Sequence, residues 1–184
     1  MAKRIVIAGL LGGIAMFVWA SVAHIFTGLG GVGIQEIPNE KVVLSAMQGA
    51  LGQNQGLYMF PAPGREGMAG YQARLDANPS GILIYHPPGM KAMEPKQLVI
   101  EFLTEVIEAF LAVFLLARTR ITGFGAGMGF MVLLGILAAL CTNVSYWNWY
   151  GFPTSYSAVY MLMQAVNFVV VGLVAVPILK KRAG

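Results

Sequence analysis

Charged residues, cysteine and histidine are all scarce in this 184-residue chain, and each shortage excludes a class of protein. Only 11% of the residues are charged, whereas soluble domains average roughly 25%. The single cysteine, Cys141, excludes an intramolecular disulfide and a cysteine-cluster metal site. His24 and His86 are the only histidines, and the paired Glu-x-x-His motifs of di-iron carboxylate proteins are absent, since Glu105 is followed three residues later by Glu108.

Catalytic signatures are missing as well. The chain has no G-x-S-x-G, no P-loop, no dinucleotide fingerprint and no H-E-x-x-H. The sequence therefore gives no positive reason to propose an enzyme, and it names no cofactor. The net charge of +4 comes from clusters at the ends of apolar segments, so it indicates membrane topology and gives no evidence for nucleic-acid binding.

Long apolar runs are what the chain has in quantity, since 57% of its residues are hydrophobic. A helix needs roughly 20 apolar residues to cross a hydrocarbon core. Four stretches reach that length and predict an all-α four-helix transmembrane bundle, divided as helix 1 (1–27), a polar segment (28–96) and helices 2–4 (97–184). The predicted spans are residues 5–26, 97–117, 124–146 and 157–179.

Basic residues predict the orientation of this bundle. They cluster before the first span, after the second and after the fourth, which are places on one side of a four-span chain. The positive-inside rule makes that side cytoplasmic, so both termini should lie there and segment 28–96 outside. We therefore predict an integral protein, with a bacterial cytoplasmic membrane as the expected location. The clustered residues are Lys3, Arg4, Arg118, Arg120, Lys180, Lys181 and Arg182.

The first span also has features of a cleavable signal peptide. Lys3 and Arg4 precede the apolar run, and Ser21-Val22-Ala23 supplies small residues for cleavage. A signal peptide has an apolar region of roughly 7–15 residues, and this run is longer. The sequence therefore favours a retained transmembrane helix.

Segment 28–96 has the pattern of a small folded cap. Pro38, Asn39 and an apolar stripe ending at Gly52 predict one helix, and residues 68–76 predict a second, weaker one. Short apolar runs at 57–60 and 82–85, bounded by Gly and Pro, predict two paired strands. The expected order is α-β-α-β, on the extracytoplasmic side between helices 1 and 2.

Two glycine pairs mark possible close contacts between helices. Gly9 with Gly13 in the first span, and Gly125 with Gly129 in the third, have the small-xxx-small spacing. In a chain with 23 glycines this spacing is common, so we interpret it as packing within the bundle and not as a dimer signature.

Three glutamates lie inside the second predicted span. Glu101, Glu105 and Glu108 have helical spacings that place them on one face. A carboxylate in lipid is costly, so such a row normally faces protein or a water-filled cavity and indicates a functional site. Glu101 can be explained by proximity to the headgroups. Glu108 cannot be explained in this way. If Glu108 lay at the headgroups, the residues between it and Arg118 would be too few to span the membrane.

Polar residues in the other spans predict a pocket around this row. Tyr160, Gln164 and Asn167 share one face of the fourth helix and lie at depths similar to those of the glutamates. His24, Ser21, Thr142 and Asn143 are further polar residues in the same half of the bundle. Carboxylates this close cannot all stay ionised in a low-dielectric site, so one should hold a proton unless a cation is bound. The predicted ligand- or ion-binding residues are Glu101, Glu105, Glu108, Gln164, Asn167 and His24.

Three functions remain open on the sequence. The first is a non-enzymatic accessory or assembly subunit of a larger membrane complex, with other membrane subunits or further copies of this chain as partners. The second is a protein that binds or conducts a cation, a proton or an amphipathic ligand through the glutamate row. The third is an intramembrane enzyme, or a haem or quinone protein.

Overall fold

The computed structural model describes residues 1–180, and these form two compact units. The first unit contains Met1–Ile34 and the chain from Met93 onwards, and the second contains Gln35–Ala92. Lys181 and Arg182, two of the predicted cytoplasmic charges, lie outside the described residues. In chain order the elements are α1 (Ala2–Ile25), a short 3-10 helix (Leu29–Gly31), α2 (Glu40–Leu51), β1 (Gly56–Phe60), α3 (Gly67–Ala77), β2 (Gly81–Tyr85), α4 (Pro95–Arg118), α5 (Phe124–Tyr150) and α6 (Thr154–Lys180).

Three of the four long helices are apolar enough to cross a membrane. These are α1, α5 and α6, which correspond to the first, third and fourth predicted spans and are candidate membrane-spanning helices by length and composition. The fourth long helix, α4, has 24 residues but carries Glu101, Glu105 and Glu108. Its start is set by Pro95 and by the backbone N–H of Glu94, which donates to Gln97 Oε1 at 2.8 Å.

The long helices pack in the spatial order α4, α1, α6, α5. Helix α1 packs on both α4 and α6, and α6 packs on α5, while α4 makes only a few contacts with α5 and α6. The three-residue connection Gly151–Pro153 makes α5 and α6 antiparallel neighbours. Helix α4 is therefore at the edge of the bundle, with a gap between it and α5.

Glycines let α1 approach α4 closely. A Cβ atom added at Gly13 would lie 2.5 Å from Val106 Cα, and one added at Gly9 would lie 2.8 Å from Phe110 Cδ2. The expected packing role is therefore seen for this pair. It is not seen for Gly125 and Gly129, where a Cβ atom would meet nothing within 4 Å.

Different glycines bring α5 and α6 together. A Cβ atom at Gly135 would lie 2.8 Å from the carbonyl oxygen of Ala165, and one at Gly172 would lie 2.9 Å from Met128 Sδ. The spacing that signals a contact in α1 is thus absent from this interface, which uses one glycine from each helix.

The second unit contains the four predicted elements. Helices α2 and α3 and the strands β1 and β2 occur at the expected places, and the strands pair antiparallel from Gly56↔Tyr85 to Phe60↔Gly81. Tyr85 is its most buried apolar side chain, at 7% exposure. Its hydroxyl donates to the carbonyl oxygen of Gly52 at 2.9 Å and so ties β2 to the end of α2.

Replacing Tyr85 with phenylalanine should loosen this unit by about 0.5–1.5 kcal/mol, the net value of one hydrogen bond. The matched control is Tyr58→Phe, because the Tyr58 hydroxyl makes only a local, exposed bond to Asn54. Hydrogen exchange of the β1 and β2 amides in the full chain measures the effect. Equal exchange in the two variants would contradict a special role for Tyr85.

Candidate functional site

The three glutamates of α4 have three different environments. Glu101 is exposed, Glu105 is only 3% exposed, and Glu108 is half-buried. They differ because α4 is an edge helix: Glu108 lines the gap beside α5, while Glu105 is buried within the bundle and does not line that gap. The row that shares one face in the sequence is therefore divided between two sites.

The first site is a side groove of about 310 Å³ between α4 and α5, with α6 at its base. Glu108 is its one charged residue, and Thr142 and Gln164 are its other polar residues. Apolar side chains supply the rest of the lining, and the groove is open on its outer side. The apolar lining residues are Leu111, Ala112, Leu115, Leu134, Leu137, Ala138 and Phe168.

Hydrogen bonds fix the polar side of this groove. Asn143 Nδ2 donates to Gln164 Oε1 at 3.0 Å, and Gln164 Nε2 donates to Thr142 Oγ1 at 3.4 Å. The Thr142 hydroxyl in turn donates to the carbonyl oxygen of Ala138 at 2.9 Å. Gln164 is thereby held against α5, which leaves Glu108 as the groove residue whose polar group is free to meet an incoming partner.

The second site is closed. Glu105 Oε2, Asn167 Oδ1 and Trp19 Nε1 are buried without a hydrogen-bond partner. They come from α4, α6 and α1. Buried polar atoms are nearly always paired with protein or ordered water, so three orphans in neighbouring helices need an explanation.

His24 is apart from both sites. It lies at the end of α1, exposed, with its ring 5.6 Å from that of Tyr160. The Tyr160 hydroxyl donates to the carbonyl oxygen of Gly30 at 3.4 Å, and its ring stacks on Tyr156 at 4.2 Å. Of the six predicted site residues, the structure brings Glu108 and Gln164 into one groove, buries Glu105 and the Oδ1 atom of the half-buried Asn167, and leaves Glu101 and His24 outside.

No cation of this chain is available to the glutamates inside the bundle. The sequence has no Lys or Arg between Arg4 and Lys41, or between Arg120 and Lys180, and α4 has them only at its ends. Within residues 1–180, no three His, Cys, Asp or Glu side chains come close enough to hold a metal ion. The carboxylates must therefore be balanced by protons or by groups from another molecule.

Trp19 is a site residue that the sequence pattern did not predict. Tryptophan prefers the membrane interface, but Trp19 lies six residues before the end of α1, about 9 Å deeper. This depth within the predicted span was the signal in the sequence that could have identified Trp19.

Comparison with known proteins adds nothing to these assignments, because no protein-family model, no curated protein and no solved structure matches the chain.

Proposed function

We propose that this chain is a non-enzymatic accessory subunit of a larger membrane complex, and that its α4–α5 groove receives a transmembrane helix of another subunit. In this proposal α4 also spans the membrane, which gives four spans in all. Both termini are then cytoplasmic, and residues Gln35–Ala92 are extracytoplasmic. Support for the topology comes from antiparallel packing of α1 on α4, which places Lys3 and Arg4 at the same end of the bundle as Arg118 and Arg120.

The observation that carries the proposal is the position of Glu108. It lies in a groove whose open side would face lipid in a bilayer. An ionisable residue at that depth costs at least about 2.5 kcal/mol for Asp in insertion experiments, so such residues almost always face protein or water. A partner that covers the groove removes that cost.

The shape and lining of the groove favour a helix as the partner. Leu111 and Leu115 form a ridge on α4, and Leu134 and Leu137 form one on α5. Between the ridges lie the small residues Ala112 and Ala138, which permit close approach of another helix. A third helix can therefore pack its own ridge into this space, as helices do in bundles.

Charge favours a different polypeptide over a second copy of this chain. Glu108 is complemented by a Lys or Arg, or by another strong donor, at the same depth. The spans of this chain contain no Lys or Arg, so a second copy has no cation to offer. We therefore identify the partner as a transmembrane helix of another subunit that carries a basic side chain near the bilayer midplane.

Photo-crosslinking in native membranes tests the proposal. A photoreactive residue at Leu137, in the groove, should join the chain to one distinct polypeptide, and Glu108→Gln should weaken this product strongly. The same probe at Ile136, which is exposed on α5 but outside the groove, should label lipid. Glu101→Gln is the control for loss of a carboxylate on the same helix and should leave the product unchanged. Lipid labelling alone at both positions would overturn the proposal.

A further inference from the structure

The orphan atoms of the closed site lie at one level of the bundle. A Cβ atom added at Gly12 would lie 3.1 Å from Val171 Cγ1 and 3.7 Å from Ala109 Cβ, so these two residues flank Gly12 from α6 and α4. Glu105 precedes Ala109 by four residues in α4, and Asn167 precedes Val171 by four residues in α6, which is about one helical turn in each case. Because α4 and α6 run parallel, Glu105 and Asn167 stand at the same height, level with Met16 of α1.

Trp19 approaches this level from the other direction. Helical side chains lean towards the N-terminus of their own helix. Helix α1 runs antiparallel to α4 and α6, so the Trp19 ring leans towards Met16, while the Glu105 and Asn167 side chains lean towards Trp19. The three polar groups therefore converge between the levels of Met16 and Trp19.

The chemistry of the three groups is complementary. Trp19 Nε1 is a donor only, Asn167 Oδ1 is an acceptor, and the Glu105 carboxyl is an acceptor when ionised and also a donor when protonated. One water molecule can accept from the indole and donate to both oxygens, and buried waters commonly make about three such bonds. Water alone leaves a buried negative charge without a counter-ion, and a proton on Glu105 removes that charge.

The charged neighbours of Glu105 also favour the neutral acid. On α4 these are Glu101 and Glu108, both of the same sign, and Glu108 is its neighbour at three residues' spacing. On α1 and α6 the nearest titratable groups are His24 and Tyr160, which contact each other at the far end of these helices. No described residue thus offers Glu105 a positive charge at its own level.

We propose that Trp19, Glu105 and Asn167 form a closed proton-binding site, in which Glu105 is a neutral carboxylic acid joined to the other two groups through one bound water. The proton arrives from water and returns to it. The site is separate from the partner groove, because it is enclosed by α1, α4 and α6 and has no α5 residue.

Infrared spectroscopy of the intact protein in lipid bilayers tests this site. Because Glu108 has no partner in the isolated chain and would carry a proton of its own, the test uses the Glu108→Gln background. This variant should show the carbonyl band of a protonated carboxylic acid at neutral pH, and adding Glu105→Gln should abolish it, whereas adding Glu101→Gln should leave it. Absence of the band in Glu108→Gln, or its survival when Glu105→Gln is added, would overturn the proposal.

A second set of variants keeps the test decisive if Glu105→Gln fails to fold. Trp19→Phe preserves an aromatic ring but removes the donor, so it should shift the frequency of the band. Trp147→Phe is the matched control, because the Trp147 indole donates to Thr154 Oγ1 at 3.1 Å and takes no part in the site. A band that is unchanged in Trp19→Phe would show that the indole does not belong to the site, and would also overturn the proposal.

Discussion

Replacing Gly13 with alanine should destabilise the helical unit by about 1–3 kcal/mol, the range for added atoms in a well-packed interior. The same replacement at Gly129 should cost nothing. Both glycines belong to small-xxx-small pairs in long apolar helices, so sequence alone does not separate them. The surroundings of the two glycines in the bundle distinguish them.

The two glycines differ in whether the backbone of a neighbouring helix lies close to them. A Cβ atom at Gly13 would lie 2.5 Å from Val106 Cα, and a backbone atom cannot move aside without shifting all of α4. At Gly129 nothing lies within 4 Å, and alanine is the better helix former by up to about 1 kcal/mol. The two variants therefore have expected effects of opposite sign.

Unfolding in mixed micelles, followed by circular dichroism, measures both variants against the wild type. A second readout is hydrogen exchange in α4, which should speed up in Gly13→Ala if the helix is pushed away from α1. Equal stability of the two variants would mean that α1 and α4 are not in the observed contact.

Hydropathy and local signals predict most of the elements of this fold. The apolar runs indicate the long helices, the Pro95 start and the Gly52 end indicate helix boundaries, and the bounded apolar runs indicate β1 and β2. These signals are local, so they need no knowledge of the tertiary structure. The glutamate row is likewise visible in the sequence, because helical spacing alone places its members on one face.

The order of the helices in space could not be predicted, and the candidate site depends on it. Because α4 packs on α1 at the edge, neighbouring glutamates have different surroundings: Glu105 is closed in, while Glu108 lines the open groove. A sequence pattern with a fixed period cannot show which side of a helix its neighbours cover. Approximate depth grouped His24 with the glutamates, and the structure places His24 near the end of α1 beside Tyr160. Eight residues separate His24 from Met16, about 12 Å along α1.

The largest effect of a single truncation is expected at Met131. This side chain has no exposed surface and packs in the apolar core, with its Cγ 3.1 Å from the position of a Cβ at Gly172. Met131→Ala should cost about 2–5 kcal/mol, the range for buried methionine truncations. An apolar cavity of this kind stays dry, so the lost contacts are not replaced.

Met16→Ala should cost less, although Met16 is equally buried at 1% exposure. Its cavity would open at the level of Glu105 and Asn167, whose unpaired oxygens can hold water, so solvent can partly replace the lost side chain. Leu133→Ala is the control, because Leu133 is 67% exposed and its truncation should change stability by less than about 0.5 kcal/mol. Unfolding of the three variants under one condition gives the comparison. If Met16→Ala proved at least as costly as Met131→Ala, its cavity would be dry, and the surroundings of Glu105 would be less polar than the three orphan atoms indicate.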